Sequence, residues 1–329
     1  MSGPEPNVGT ARALRVAMIG AGGFARRHLD VLAGEPGVHV VGHVARTLDS
    51  AHAHAVRYGG RAYDDVAALL ADERVDAAWI SVPPGAHGAV EHALIDAGVP
   101  FLVEKPLSAD AETAEGIASA VAASGLVTAV GYHWRALDGV AVVRERLAAG
   151  PPVRLVTAAW HSSTPAPAWW RLEAESGGQM VEQATHLIDL ALHLLGDAEV
   201  LHAAEARAPR AAHPDADVAE ASSATLRFAS GVLGVVTATC VLAASDTVEL
   251  RLHREGELIV ITQDAIAIDT GAERRVLRHQ ADPVAVEDSA FLAAVRTGDA
   301  TLAICSYAEA LRTHRVAQRV RTLAYASDT

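Results

Sequence analysis

Short apolar runs alternate with segments whose apolar positions recur three and four residues apart through the first 130 residues. Arg15–Ile19 reads as a strand, followed by a glycine turn and a helix over Phe24–Ala33. Val38–Ala45 is a second strand, and Asp49–Tyr58 and Asp64–Leu70 read as helices. Asp76–Val82 is a buried strand, His87–Ala97 a helix, and Phe101–Glu104 a strand. Helix Ala109–Ser124 and strand Val127–Tyr132 complete the run. Continuously apolar strands alternating with helices predict a parallel sheet covered on both faces, doubly wound by right-handed crossovers.

The pattern changes after Gly131. Leu137–Ala149 and Met180–Leu195 read as helices, separated by an irregular stretch rich in proline and tryptophan. From Glu199 to Thr270 the chain is mostly β. The runs SATLRF (223–228), VLGVVTATCV (232–241), TVELRLH (247–253) and ELIVIT (257–262) predict an antiparallel meander with tight turns such as Arg254-Glu255-Gly256. Helices over Glu287–Arg296 and Tyr307–Arg319 follow. The fold class expected is α/β: a Rossmann-type sheet over residues 1–130, then an α+β domain over 131–329 with a large, mostly antiparallel sheet. Residues 1–13 read as a short frayed leader with no secretory pattern.

VLGVVTATCV and ELIVI are apolar in both strand phases, so each is expected to be buried on both faces. One face would be covered by the domain's own helices, and the other would still carry apolar side chains such as Val232, Val235, Leu250, Leu252, Ile259 and Ile261. A homodimer or homotetramer through this sheet is the expected solution.

Composition narrows the class. Half of the 329 residues are hydrophobic, enough for more than one core, and no apolar run is long enough to span a membrane. A net charge of −13 disfavours nucleic acid or an anionic membrane as partner. Cys240 and Cys305 match no metal or redox spacing and read as core residues in a reducing cytoplasm. No metal site is expected. Of 27 basic residues, only Lys105 is a lysine. Arginine stays protonated almost anywhere, whereas a lysine amine can be tuned by burial, so the survival of one lysine draws attention to its chemistry.

Gly20-Ala21-Gly22-Gly23-Phe24-Ala25 follows the first strand and opens the first helix. Gly20 permits the turn, Gly22 lets backbone approach a pyrophosphate, and Ala25 supplies the small residue that helix–strand packing requires. The helix N-terminus offers free amides to the phosphates. This placement predicts dinucleotide binding. At the end of the second strand, where a carboxylate would bind a ribose 2′-hydroxyl, the chain has Ala45-Arg46-Thr47. Without the acid, and with Arg46 and Thr47 as donors, NADP(H) is preferred over NAD(H).

The segments GAGGFARRH (20–28), SVPPGAH (81–87), VEKPL (103–107), VGYHWR (130–135) and SGGQMVEQATHLIDL (176–190) together closely resemble the glucose–fructose oxidoreductase / inositol dehydrogenase / MocA family of two-domain dehydrogenases. The resemblance spans essentially the whole chain. It implies a lysine beside the nicotinamide that binds the reacting oxygen, which maps onto Lys105, and an acidic-x-x-x-His-x-x-Asp motif that maps onto Glu182, His186 and Asp189. Positions 182, 186 and 189 would share one face of the helix over 180–195. His186 is the candidate acid/base and Glu182 would orient it or a substrate hydroxyl. Pro83, His87 and Glu104 join Lys105 as candidate cofactor contacts. Glu182 stands where the family usually has aspartate, and Pro84 where asparagine is frequent.

Four of the five tryptophans (Trp134, Trp160, Trp169, Trp170) fall between 134 and 170. Rings of this kind stack on apolar sugar faces, while Tyr132, His133, Arg135 and His161 could bond hydroxyls or a phosphate. The expected activity is hydride transfer between NADP(H) and a secondary alcohol or ketone carbon of a sugar, polyol or cyclitol, a nucleotide-linked keto sugar among them. The active site is expected in the cleft between the two domains. Two rival expectations are a nicotinamide-dependent glycosidase of the same fold and a non-catalytic NADP-binding regulatory protein.

Overall fold

A computed structural model describes residues 12–327; the expected leader lies outside the described residues except for its last two positions. The chain forms two compact units, residues 1–81 and 82–329.

The first unit holds strands β1 (Leu14–Ile19), β2 (Val38–Val44), β3 (Arg61–Tyr63) and β4 (Ala77–Ile80), with helices α1 (Gly23–Leu32), α2 (Leu48–Tyr58) and α3 (Val66–Asp72). β1 pairs in parallel with both β2 and β4, and β2 with β3. Val16, Met18, Trp79 and Ile80 are fully buried, as continuously apolar parallel strands require. β3, too short to carry a periodic signal, was not anticipated from the sequence.

The second unit begins with α4 (Ala89–Asp96), β5 (Phe101–Val103), α5 (Ala111–Ser124) and β6 (Thr128–Val130). β5 and β6 are parallel, and the strand order β3-β2-β1-β4-β5-β6 is that of a doubly wound sheet. Next come α6 (Gly139–Ala149), β7 (Val153–His161), the short helices α7 (Glu173–Ser176) and α8 (Gln179–Glu182), and α9 (Thr185–Leu195). Strands β8 (Ala198–Ala206), β9 (Ala221–Phe228), β10 (Leu233–Thr239), β11 (Thr247–Arg254), β12 (Glu257–Thr262), β13 (Ala265–Asp269) and β14 (Arg274–Arg278) precede α10 (Pro283–Thr297) and α11 (Tyr307–Ser327).

The large sheet runs β14-β13-β12-β11-β7-β10-β9-β8. The expectation of a simple meander is corrected here. β7, which the sequence left in the irregular proline- and tryptophan-rich stretch, inserts between β10 and β11, parallel to the first and antiparallel to the second. Its two alanines, depleted in strands, interrupt the strand-favouring valines, threonine and tryptophan, and pairing with β10 and β11 places it. One face of the sheet packs on α6, α9 and α11 through a shared core that includes Val143, Leu187, Leu190, Leu226, Ile261 and Val320. Each fully buried aliphatic side chain there contributes roughly 1.5–3 kcal/mol.

The expectation that six apolar residues lie on the outer face is corrected for five of them. Leu250, Leu252, Ile259 and Ile261 are fully buried, and Val232 is 9% exposed, all within the core. Val235 alone among them is exposed, at 36%. The outer phase of ELIVI belongs instead to Leu258 and Val260, which are half-buried.

Candidate active site

Gly20 has φ of 116°, and a Cβ there would fall on the Ser81 carbonyl, so only glycine lets β1 turn so close to the strand-end backbone. Gly22 caps α1 with no side-chain cap, and its own Cβ direction meets open space. A helix start with no side-chain cap suits an anionic ligand. Phe24 is exposed and Ala25 is buried under the helix, the packing role read for it. Arg46 is exposed and makes no ion pair among the described residues. Thr47 caps α2, its hydroxyl accepting from the Ser50 amide at 3.3 Å and lying 2.8 Å from the Ser50 hydroxyl.

Lys105 follows β5, and the Lys105-Pro106 peptide is cis. Its Nζ donates to Glu182 Oε1 at 2.6 Å and to the Glu182 carbonyl at 2.7 Å. Both side chains are largely buried, 9% and 14% exposed. The other carboxylate oxygen, Oε2, accepts from Trp170 Nε1 at 2.7 Å. Glu182 reaches this place because Gly177 and Gly178, both with positive φ, turn the chain into α8.

The expected single helix over 180–195 is corrected. It breaks after Glu182, and α9 starts only at Thr185. The three-and-four spacing therefore does not put Glu182 on a face with His186 and Asp189, and the three separate chemically. Glu182 holds Lys105. Asp189, fully buried, takes a bidentate pair from Arg135 at 2.7 and 2.8 Å and a hydrogen bond from Thr313 at 2.8 Å.

His186 stands in an aromatic cage. Trp160 stacks on it at 5.8 Å with the planes 19° apart, and Trp134 at 6.4 Å with 25°. Tyr132 and His133 meet it at steeper angles, 5.9 and 4.8 Å away. Burial, reinforced by the charge of Lys105 and by His133, drives its pKa well below the ordinary histidine value. Its Nδ1 is buried without a partner among the described residues.

The other expected site residues have the following partners within the protein. Arg135 pairs with Asp189 and, at 3.0 Å, with Glu309, and its side chain is 1% exposed. Tyr132 is fully buried and bonds Thr185 at 2.8 Å. His161 bonds Thr237 on the neighbouring strand at 2.9 Å. Trp169 packs against the cluster of Trp170, Val218 and Cys240, and it is Trp170 that reaches Glu182. Nothing in two adjacent tryptophans could have told them apart. His87 spends its Nδ1 on Glu91 at 2.5 Å, both buried. Glu104 is buried, its carboxylate against the Gly131 backbone. Pro83 is half-buried, just before a short 3₁₀ turn.

The model of an oxidoreductase family with an NAD-binding Rossmann fold matches residues 14–132, and that of the GFO/IDH/MocA C-terminal domain matches 140–259. The chain belongs to the Gfo/Idh/MocA family. Its fold is accordingly α/β, a parallel Rossmann sheet joined to a large, mostly antiparallel one. Among curated relatives, 4-carboxy-2-hydroxymuconate-6-semialdehyde dehydrogenase of Sphingobium is 31% identical over 42% of this chain and 44% of its own length. The dTDP-3,4-didehydro-2,6-dideoxy-α-D-glucose 3-reductase of Streptomyces violaceoruber is 30% identical over 57% of this chain and 56% of its own. The chain thus spans about half the length of these relatives. Among solved structures, a 3-ketoreductase of Actinomadura kijaniata with NADP and TDP-benzene superposes with a TM-score of 0.83 at 23% identity, over 95% of this chain and 98% of that one. No helix among the described residues is long and apolar enough to cross a membrane.

Proposed function

We propose that this Gfo/Idh/MocA protein is an NADP(H)-dependent dehydrogenase or reductase that interconverts a secondary alcohol and a ketone on a sugar, polyol or cyclitol. A nucleotide-linked keto sugar is the favoured substrate class, because a curated relative is named for that chemistry and the Actinomadura neighbour holds a TDP ligand. Residues 1–130 would bind the dinucleotide, and 131–329 the substrate and a second subunit. The observation that carries the reading is Lys105: the only lysine, ion-paired to Glu182, close enough to caged His186 for its charge to act on the ring.

The glycine turn and the uncapped start of α1 fit a pyrophosphate. A bound nicotinamide supplies the hydride acceptor or donor. Lys105 holds and polarises the reacting oxygen with its ammonium, and Glu182 keeps that ammonium in place. His186, beside Lys105, is the candidate to exchange the carbinol proton. Trp160 and His133 flank it and offer a ring face and a polar edge to a sugar. Pro83, His87 and Glu104 remain proposed to border the cofactor through backbone and packing.

The test is a screen of polyols, cyclitols, glycosides and nucleotide-linked keto sugars with either cofactor, followed by NADPH and NADH absorbance. Turnover on at least one member is expected; none on any member overturns the reading.

Cofactor choice is separately measurable. Arg46, exposed and without an ion pair among the described residues, and Thr47 stand at the end of β2 where an adenosine 2′-phosphate would sit. NADP should bind more tightly than NAD. Arg46→Ala should weaken NADP about tenfold or more, the worth of one charge-assisted contact at ~1.5–3 kcal/mol, and leave NAD unchanged. Equal dissociation constants in the unaltered protein would sink the preference.

We also propose that the outer face of the large sheet pairs with a second copy. Leu233 and Val235 are exposed on β10, with Leu258 and Val260 half-buried on β12. Val235→Asp should shift a dimer or tetramer toward a monomer of 34.2 kDa in light scattering. Ile259→Asp, buried in the core, should instead unfold the domain. An unaltered chain that is monomeric at micromolar concentration rules the pairing out.

A further inference from the structure

We infer that Trp170 is a positioning residue: its indole N–H holds Glu182 in the conformation that clamps Lys105. A glutamate carboxylate swings on three side-chain torsions, and one salt bridge with a flexible lysine leaves much of that freedom in place. Here both oxygens are committed. Oε1 takes the ammonium and Oε2 takes Trp170 Nε1, at 2.6 and 2.7 Å. The Lys105 ammonium in turn reaches back to the Glu182 carbonyl, so the three groups form a closed arrangement around one carboxylate.

The tryptophan is itself fixed. It is 1% exposed, packed with Val218 and Cys240, and carried on the 3₁₀ turn Ala168–Arg171 that starts after Pro167. Proline limits the backbone before that turn, and the packed ring has little room to rotate. A rigid donor therefore faces a mobile acceptor, the arrangement that preorganises a charged group. Cutting the N–H leaves Oε2 largely buried and unsatisfied, which favours a different carboxylate rotamer and loosens Lys105. Trp169 beside it makes no side-chain hydrogen bond among the described residues and serves as the control.

The catalytic weight of this clamp rests on the function proposed above, but its existence does not. Because Lys105 is the only lysine, its reactivity can be read without any substrate. Trace acetic anhydride acetylates a lysine at a rate set by how freely its amine can leave its partners and reach the reagent, and mass spectrometry of the Lys105 peptide measures that rate. Trp170→Phe, which keeps an aromatic ring but removes the donor, should raise that rate roughly tenfold, approaching the rate in Glu182→Gln. Trp169→Phe should leave it unchanged. In a Glu182→Gln background, Trp170→Phe should add nothing, since the carboxylate it acts through is gone. A rate equal to that of the unaltered protein in Trp170→Phe overturns the inference. So does the same increase with and without Glu182, which would mean the ring acts by packing alone. If the phenylalanine variant fails to fold by near-ultraviolet circular dichroism, site-specific 3-benzothienylalanine replaces the N–H by sulfur with the shape kept. The two proposals fail separately: a silent substrate screen strikes the reaction, and an unchanged Lys105 rate strikes the clamp.

Discussion

Lys105→Arg should lower kcat by about two to three orders of magnitude on any substrate the screen identifies, with cofactor affinity close to that of the unaltered protein. Arginine keeps the charge but spreads it over a planar fork longer than the ammonium it replaces. The site gives Lys105 two acceptors on one residue, the Glu182 carbonyl and Oε1, converging on a single nitrogen. A guanidinium cannot place one compact charge at that point. Loss of a preorganised charge at the reacting oxygen costs on the order of 10²–10³ in rate, or roughly 3–4 kcal/mol of barrier. Cofactor binding should survive because the glycine turn and the α1 amides lie in the other compact unit. Steady-state kinetics and a fluorescence titration of NADPH measure the two arms. A variant keeping more than about a tenth of kcat, a loss of under ~1.4 kcal/mol, would remove Lys105 from the chemistry.

The second large effect is on stability. Arg135→Met is expected to destabilise the second unit by about 3–5 kcal/mol, because it strands the Asp189 carboxylate in the interior with only the Thr313 hydroxyl as donor. A loss of that size is a large share of the ~5–15 kcal/mol that folded domains possess. Asp189→Leu added to Arg135→Met should recover most of it, since a hydrophobic pair of similar volume replaces a buried ion pair at little cost. Urea unfolding followed by tryptophan fluorescence reports both variants. If Arg135→Met unfolds at the unaltered midpoint while the Michaelis constant rises, Arg135 binds substrate after all.

How much of this was legible beforehand depends on the range over which each signal acts. Periodicity is local, and it located most helices and strands of the parallel region to within a residue or two. The glycine turn was also legible, because the need for a positive φ at Gly20 is written in the residue itself. Lys105 stood out by composition alone. Three things could not be read. β7 became a strand only because β10 and β11 pair with it from far along the chain. The helix containing the acidic-x-x-x-His segment looked continuous, yet it breaks after Glu182. Polar residues of similar type, Arg135 and His133, look alike in sequence but go to an internal ion pair and to the side of His186.

The sequence by itself determined the alternation of elements, the dinucleotide turn and the residue types available for chemistry, because each depends on neighbours a few positions away. Tertiary structure decided which carboxylate meets the lysine, which of two adjacent tryptophans anchors it, and which sheet face is buried. Those outcomes depend on distances between residues as far apart as 105 and 182, which are set by the packing of whole elements.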